Sequence, residues 1–311
     1  MSGAHMLTIV IPVHNRRNLV EHTLGSLRQQ TAPRFATVLV DNASTDGSIE
    51  VLRKWQAENN SPERPETVLS ESTPGACAAR NRGLDAVESP WVLFFDSDDL
   101  MHPGHIERVL NGIESHPEAD ILGWDTIHRN ISGKRSIHRF YADNVHWHSL
   151  FDGGYATQRW CARTDTVRNA GMWNPQVRLW DDIELGVRMV AGGAKAVKLN
   201  GRATVTTVEQ AASISANING DYIERMELPL RLISRSLPPQ AHLWTDCVRA
   251  INLGNTARGA DTGISALCRQ RLGLICSGKT MRERAILRFL YHFRRLGGRG
   301  QNILLRTILN A

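Results

Sequence analysis

The chain has 311 residues, enough for one large domain or a domain with an appendage. At 41% apolar and 22% charged it has an ordinary globular composition, and no stretch approaches the about 20 apolar residues that a membrane-spanning helix needs. The net charge of +6 sits in the tail: from Lys279 onward eight basic residues face one acid, Glu283, so that segment carries +7 and the remainder is near neutral, which argues against nucleic acid as a partner.

Met1-Ser2-Gly3-Ala4-His5 reads as a cloning scar ahead of a natural start at Met6, with no signal-peptide pattern. Leu7 to Ile11 is a buried-strand run, and Arg17 to Gln30 an amphipathic helix with Leu19, Val20, Thr23, Leu24 and Leu27 on one face. Thr37 to Val40, Thr67 to Leu69 and Trp91 to Phe95 read as the next strands; Ser48 to Glu58 and Ala76 to Val87 read as the helices between them. Strand–helix alternation with short links predicts a mostly parallel α/β sheet covered on both faces. Beyond it, Ile106 to Glu114 reads as a helix and Ile121 to Trp124 as a strand, followed by a looser stretch carrying Trp147, Trp160, Trp173 and Trp180. From about Asp221 the pattern is helical, broken at Pro238-Pro239. The five cysteines, Cys77, Cys161, Cys247, Cys268 and Cys276, are odd in number and lack C-x-x-C spacing. They read as reduced, buried apolar groups in a reducing cytoplasm, not as a disulfide frame or a zinc site.

Polar residues gather where the strands end: Pro12, His14 and Asn15; Asp41 and Asn42; Glu71; and Asp96, Asp98 and Asp99. Ligands of open α/β sheets bind outside the carboxyl ends of the strands, so these clusters describe one site. Asp96 and Asp98, two apart on extended backbone, share a face and could converge on Mg²⁺ or Mn²⁺, which take hard oxygen ligands and substrate phosphates. Asp96-Ser97-Asp98-Asp99 is also good turn chemistry, but the buried strand directly before it favours the site.

Five motifs in order carry a resemblance. They are Ile11-Pro12-Val13-His14-Asn15; Val40-Asp41-Asn42-Ala43-Ser44-Thr45-Asp46-Gly47-Ser48; Pro74-Gly75-Ala76-Cys77-Ala78-Ala79-Arg80-Asn81-Arg82-Gly83-Leu84; Phe95-Asp96-Ser97-Asp98-Asp99; and Trp180-Asp181-Asp182-Ile183-Glu184-Leu185. Together they resemble the family 2 glycosyltransferases of GT-A fold, over residues 7 to about 215. The resemblance implies an inverting enzyme that moves a hexose or amino-hexose from a UDP-sugar, with Mn²⁺ or Mg²⁺, to a hydroxyl of a surface-glycan or lipid-linked acceptor. It implies that Pro12, His14 and Asn15 border the nucleotide, that Asp41 accepts hydrogen bonds from a uracil-like base or its ribose, and that Arg80 lies near the phosphates. Asp96, Ser97 and Asp98 would hold the diphosphate and metal, with Asp98 the principal ligand and Asp96 on metal or ribose. Asp182 matches the general base. Asp99, Trp180 and Asp181 would serve the sugar or acceptor, and Trp173 is a second candidate stacking platform. Acids opening a helix, as in Asp181-Asp182-Ile183-Glu184, are equally explained by the helix dipole for Asp181 and Glu184.

There are departures from the family pattern. His14 replaces the usual aromatic; Gln158-Arg159-Trp160 lacks the Q-x-x-R-W spacing of processive members; and Glu209 and Gln210 stand where a metal-side histidine is usual, between Val205 and Ser215. Gly273 to Thr280 matches the P-loop pattern but follows an amphipathic helix and has only about thirty residues after it, too few for the strands a P-loop domain needs. His102 with His105, and His146 with His148, read as loop histidines. A nucleotidyltransferase of the same fold would carry a basic glycine-rich loop after the first strand, which is missing here; a non-catalytic, membrane-associated nucleotide- or glycan-binding protein has no need of Asp41, Asp98 and Asp182 together.

The predicted organisation is a GT-A domain over 6–215 and a helical C-terminal region over 216–311. In the tail, Ile286, Phe289, Leu290, Phe293 and Leu296 form an apolar stripe edged by arginines. That suits a helix packed on the core, or equally one lying on an anionic membrane surface through residues 282–309, which would make a cytoplasmic protein peripheral at the inner face of the membrane.

Overall fold

The computed structural model describes residues 5–210 and 220–309. Two compact units appear, 1–145 with 154–211 and 146–153 with 212–311.

The first unit opens with β1 (Leu7–Val13), α1 (Arg17–Arg28), β2 (Ala36–Asp41), α2 (Ser48–Asn59), β3 (Glu66–Ser70), α3 (Ala76–Asp85) and β4 (Trp91–Phe94). All seven predicted elements form, with ends shifted by a residue or two. After β5 (Leu100–Met101), α4 (His105–Ser115) and β6 (Ile121–Gly123) come elements that the sequence pattern did not resolve. These are β7 (Thr126–Arg129) and β8 (Arg135–His138), then α5 (Val145–Asp152), which from His146 onward belongs to the second unit, and β9 (Trp160–Arg163), α6 (Thr164–Asn169), β10 (Ala196–Lys198) and β11 (Val205–Val208); between α6 and β10 stands α7 (Asp181–Ala191), the helix expected to open at Asp181.

The main sheet has seven strands in the order β10-β6-β9-β4-β1-β2-β3. Its strands are parallel except β9, which runs antiparallel between β4 and β6. A smaller sheet, β5-β11-β7-β8, stands beside it in the same unit. β1 and β4 are buried along nearly their whole length because both faces are covered, as their unbroken apolar runs require. One layer is led by Ile9, Ile11, Leu39 and Leu93 and the other by Val10, Val38, Val40 and Phe94, the alternation that pleated strands impose. This is the mixed, mostly parallel α/β sheet flanked by helices that the sequence predicts.

Chain order reverses between β1 and β4: β2 and β3 extend the sheet one way, β4 and β9 the other. That switch point opens a crevice at the carboxyl ends of β1 and β4.

The second unit is helical: α5 with α8 (Gly220–Ser236), α9 (His242–Ala257), α10 (Thr262–Cys276), α11 (Met281–Arg295) and α12 (Gln301–Leu309). A single 3₁₀ turn, Pro239–Ala241, separates α8 from α9 at the predicted proline break. Trp147, Cys247, Ile251, Leu253, Leu287, Leu290 and Tyr291 make its core. The P-loop-like run lies on α10 and the turn after it, confirming that it is no phosphate loop. All five cysteines are free and buried.

Candidate active site

The crevice loops are built by backbone continuing past the strands. The Asn42 amide donates to the Val13 carbonyl at 2.7 Å, that of Phe95 to Val10 at 2.9 Å, and that of Glu71 to Asp41 at 2.8 Å. Strand alignment therefore persists one residue beyond each end, which fixes where the polar clusters begin. Asn15, Ala43 and Trp180 hold positive φ values of 49°, 52° and 59°. For residues with a Cβ such backbone is strained, and it persists where surrounding bonds over-determine it. Here they do. Asn15 receives the Thr45 amide on its side chain at 2.8 Å and gives its own amide to Ser44 Oγ at 3.0 Å, while the Arg16 and Arg17 amides reach Ser48 Oγ and Asp46 Oδ2.

Pro12, His14 and Asn15 line the end of β1, with His14 and Asn15 exposed. His14 Nδ1 donates to the Asn42 carbonyl at 2.6 Å, which fixes the ring. Asn42 ties the floor together: its amide group donates to the Glu71 and Thr73 carbonyls, and its oxygen accepts from the Gly75 amide at 2.8 Å. Asp41 is only 5% exposed; its Oδ2 accepts from the Ser44 amide at 3.3 Å, whereas Oδ1 has no partner among the described residues. A buried carboxylate oxygen without a donor carries an uncompensated desolvation cost and is ready to accept one from a ligand.

Asp96, Ser97, Asp98 and Asp99 follow β4 in a tight turn, with the Asp99 amide donating to the Asp96 carbonyl. Ser97 and Asp99 are buried. Asp98 faces Arg16 at 3.6 Å. Burial, and then the neighbouring Asp96 carboxylate, push Asp98 above the usual carboxylate range. Asp99 rises well above it through burial and the charges of Asp96 and Asp98, although its Oδ1 accepts from the Val208 amide at 2.8 Å. The Asp96 charge thus contributes to raising both Asp98 and Asp99.

Arg80, on α3, is 5% exposed and bridges two of the clusters: Nη2 reaches Asp96 at 2.8 Å and Nη1 reaches Asp181 at 2.7 Å, with the guanidinium 4.4 Å above the Trp173 ring. Burial alone would lower its pKa; the Asp96 and Asp181 carboxylates outweigh that and hold it charged. The expectation of Arg80 beside the phosphates thus meets a guanidinium whose two terminal nitrogens are already engaged by protein carboxylates. Trp173 is corrected as a stacking platform: it is 1% exposed and lies edge-on to Phe94 in the core. Trp124 and Trp160 are core residues, their indole N–H groups on the Gln158 and Tyr155 carbonyls. Trp180 is half-buried and precedes α7 in left-handed backbone.

Asp181 and Asp182 open α7. Asp181 accepts from Arg80 and, at 3.2 Å, from Cys77 Sγ. Asp182 Oδ2 accepts from the Thr157 amide at 3.1 Å and hydroxyl at 3.3 Å, and Oδ1 from the Ile183 amide at 2.8 Å. Burial, and then the Asp181 charge, push Asp182 up to about 6 despite Arg80. Glu184 faces away into a buried pair with Arg188 at 2.6 Å.

Two residues of this crevice carried no signal in the sequence. The 3₁₀ turn Thr157–Arg159 places Thr157 on Asp182 and the Gln158 amide in a very short bond to Asp96. Asp96 and the Asp181–Asp182 pair are therefore linked twice, through Arg80 and through this turn. The expectation of loop histidines is corrected for three of the four: His105 opens α4, and His146 and His148 lie on α5, while His102 and His105 bond the Thr206 and Thr204 hydroxyls. Glu209 donates its amide to the Arg129 carbonyl, and 211–215 lie outside the described residues.

Residues 8–173, just over half of the chain, match the family described as Glycosyl transferase family 2. A Bacillus subtilis protein whose name places it in teichuronic acid biosynthesis is 31% identical over 105 residues, covering 34% of this chain and 40% of that one. An uncharacterized glycosyltransferase of Haemophilus influenzae is 34% identical over 118 residues, covering 38% and 37%. The match thus spans well under half the length of these two relatives. A PGL/p-HBAD biosynthesis glycosyltransferase of Mycobacterium tuberculosis is 24% identical over 245 residues, 78% of this chain and 92% of that one. Among solved structures, Staphylococcus aureus TarS in complex with UDP-GlcNAc superposes with a TM-score of 0.68 at 18% identity, covering 98% of this chain and 90% of the other. A Pyrobaculum calidifontis mannosyltransferase with GDP-Man and Mn²⁺ does so at 0.52 and 17%, covering 95% and 88%. At such identities the likeness is one of fold.

Proposed function

Because the chain belongs to glycosyl transferase family 2, we propose that its crevice transfers a hexose or amino-hexose from a UDP-sugar to a hydroxyl of a surface-glycan or lipid-linked acceptor, with inversion. The observation that carries this reading is the convergence of a donor-less Asp41 oxygen, the crowded carboxylates after β4, and a lifted, thrice-bonded Asp182 at the carboxyl ends of one sheet. The teichuronic acid and PGL/p-HBAD names of two relatives support the acceptor class, and the TarS complex supports the donor. Buried, reduced cysteines fit a cytoplasmic location.

In this reading Asp41 accepts from the base or its ribose, and Pro12, His14 and Asn15 border the nucleotide. The donor set after β4 fits Mn²⁺ or Mg²⁺ of the kind bound by one or two carboxylates plus substrate phosphates, with Asp98 the principal ligand and Asp96 its neighbour. Such an ion supplies charge neutralisation for the departing diphosphate. Asp96, already engaged by Arg80 and Gln158, has less capacity to bind than Asp98.

Asp182 takes the proton of the acceptor hydroxyl as that oxygen bonds to the anomeric carbon. The bond from that carbon to the diphosphate breaks on the opposite face and its electron pair leaves with UDP. One displacement with no protein nucleophile inverts the centre. Thr157 and the Ile183 amide orient the Asp182 carboxylate, and Arg80 fixes Asp181 beside it. Asp99, Asp181 and Trp180 border the sugar and acceptor side.

Calorimetry with UDP and Mn²⁺ on the protein and on Asp98→Ala tests the nucleotide and metal site. Metal-dependent binding should be lost in the variant; equal binding by both removes Asp98 as ligand. Thermal stabilisation by a panel of UDP-sugars then identifies the donor.

A further inference from the structure

α11 presents two kinds of surface. Ile286, Leu287, Leu290 and Tyr291 are buried in the core of the second unit. The opposite side is exposed and is not polar. Phe289 is 46% exposed and Leu296, at the helix end, 86%; Phe293 is half-buried and its ring stacks on Phe289 at 5.6 Å. At i, i+4 and i+7 these three residues form one stripe. Met281, in the first turn of the same helix, is 87% exposed.

Arg284, Arg288 and Arg295, at i, i+4 and i+11, run as a second exposed stripe beside the first, and Arg299 follows in the next turn of chain. Arg288, Arg295 and Arg299 form no hydrogen bond or ion pair among the described residues. The acid of this helix, Glu283, is used up in a capping box with Thr280. The stripe ends in a fixed geometry: Gly297, at φ 87°, gives its amide to the Arg294 carbonyl, Gly298 gives its own to Phe293, and a Cβ on Gly298 would strike the Phe293 ring. That glycine end leaves Leu296 projecting outward.

Exposed phenylalanine and leucine seek a medium in which they lose water, while unpaired arginines beside them seek negative charge. A protein partner would bring acids to fixed points, and nucleic acid offers no burial for Leu296 or Met281. An anionic bilayer surface meets both demands at once, with apolar side chains below the headgroups and guanidinium groups among them. We propose that the Phe289–Phe293–Leu296 stripe with Arg284, Arg288, Arg295 and Arg299 is a docking face for an anionic lipid bilayer. It rests on α11 alone and does not depend on the transfer reading.

The test is flotation of the full-length protein with vesicles of phosphatidylcholine alone, or of phosphatidylcholine and phosphatidylglycerol in equal amounts. The protein should float with the anionic vesicles only, and added salt should release it. Arg288→Gln and Arg295→Gln should each weaken partition about five-fold, and Phe289→Ser with Leu296→Ser should abolish what remains at high salt. Circular dichroism of each variant should match the parent, since every one of these side chains is partly or fully exposed. Equal flotation with neutral vesicles, no flotation at all, or retention on heparin without flotation would overturn the proposal. UDP binding by the same variants should be unchanged, so a failure here leaves the catalytic reading untouched.

Discussion

Arg80 is the residue on which the charge balance of the crevice turns. Its two terminal nitrogens neutralise Asp96 and Asp181, which come from different elements. Replacing it with methionine keeps the stacking volume over Trp173 but leaves two partly buried carboxylates facing each other; a loss of about 3 kcal/mol is expected, read as a lower urea midpoint. Arg80→Lys should recover little, because one ammonium cannot span both acids. In the proposed reaction Asp182 is the base. With its carboxyl lifted to about 6, the base form is lost as pH falls through that value, so the transfer rate should decline on the acid side with a midpoint near it. Asp182→Asn should lower the rate by about 10²- to 10⁴-fold while UDP affinity holds. Retained transfer in that variant removes Asp182 as the base. The proposed roles of Asp41, Asp98 and Asp182 come from motifs that resemble the family's, and their places at a strand end or a helix start were legible in the sequence. Thr157 and Gln158 could not: they act through a single 3₁₀ turn whose position is set by β9 pairing antiparallel to β4 and β6, a long-range fact that no local pattern carries.

At the scale of elements, the sheet half of the first unit was legible because buried parallel strands are written as short apolar runs between amphipathic helices. The strands β7, β8, β10 and β11 were not, because runs of three or four residues with half-exposed polar side chains leave no period to count. Packing between elements also depends on single glycines that periodicity ignores. Gly254 on α9 lies against the backbone of α11: a Cβ there would strike the Tyr291 carbonyl oxygen and sit 2.9 Å from Arg294 Cβ. Backbone cannot rotate away as a side chain can, so Gly254→Ala should cost about 1–3 kcal/mol despite its better helix propensity. A melting temperature equal to the parent's would mean that the two helices can separate without loss. Glu66 opens β3, 7% exposed, and burial raises it to about 7, partly offset by the Trp55 and Thr37 side chains and the Arg64 charge. The folded state therefore keeps a proton that the unfolded chain gives up from its ordinary value of 4.5 upward. Stability should fall as pH rises from there through about 7, by about 3 kcal/mol in all, and Glu66→Gln should flatten that slope between about pH 5 and pH 8.

For the whole molecule, the organising fact is that the chain passes between its two units more than once. The sequence pattern placed a single boundary at 215, where strand-like composition gives way to helices. In the structure residues 146–153, which hold α5 from His146 onward, are already part of the helical unit, and the chain then returns to the sheet unit at 154. The reason lies in one face of α5. Trp147 is fully buried within the helical unit, edge-on to Trp244 at 5.3 Å, tilted against Phe151 at 4.3 Å, and under the Arg306 guanidinium at 5.9 Å. His148 and Asp152 extend the same contact, with Asp152 3.7 Å from Arg306. A fragment cut at 215 keeps α5 but loses α8 to α12, so Trp147 and Phe151 would face water. Exposing a tryptophan and a phenylalanine that fold into a core costs several kcal/mol and creates an adhesive patch. The 6–215 fragment is therefore expected to bind a hydrophobic dye and to self-associate, and Trp147→Ser with Phe151→Ser in the fragment should reduce both. A 6–215 fragment that stays monodisperse and dye-free on size exclusion would show that α5 finds cover without the C-terminal helices.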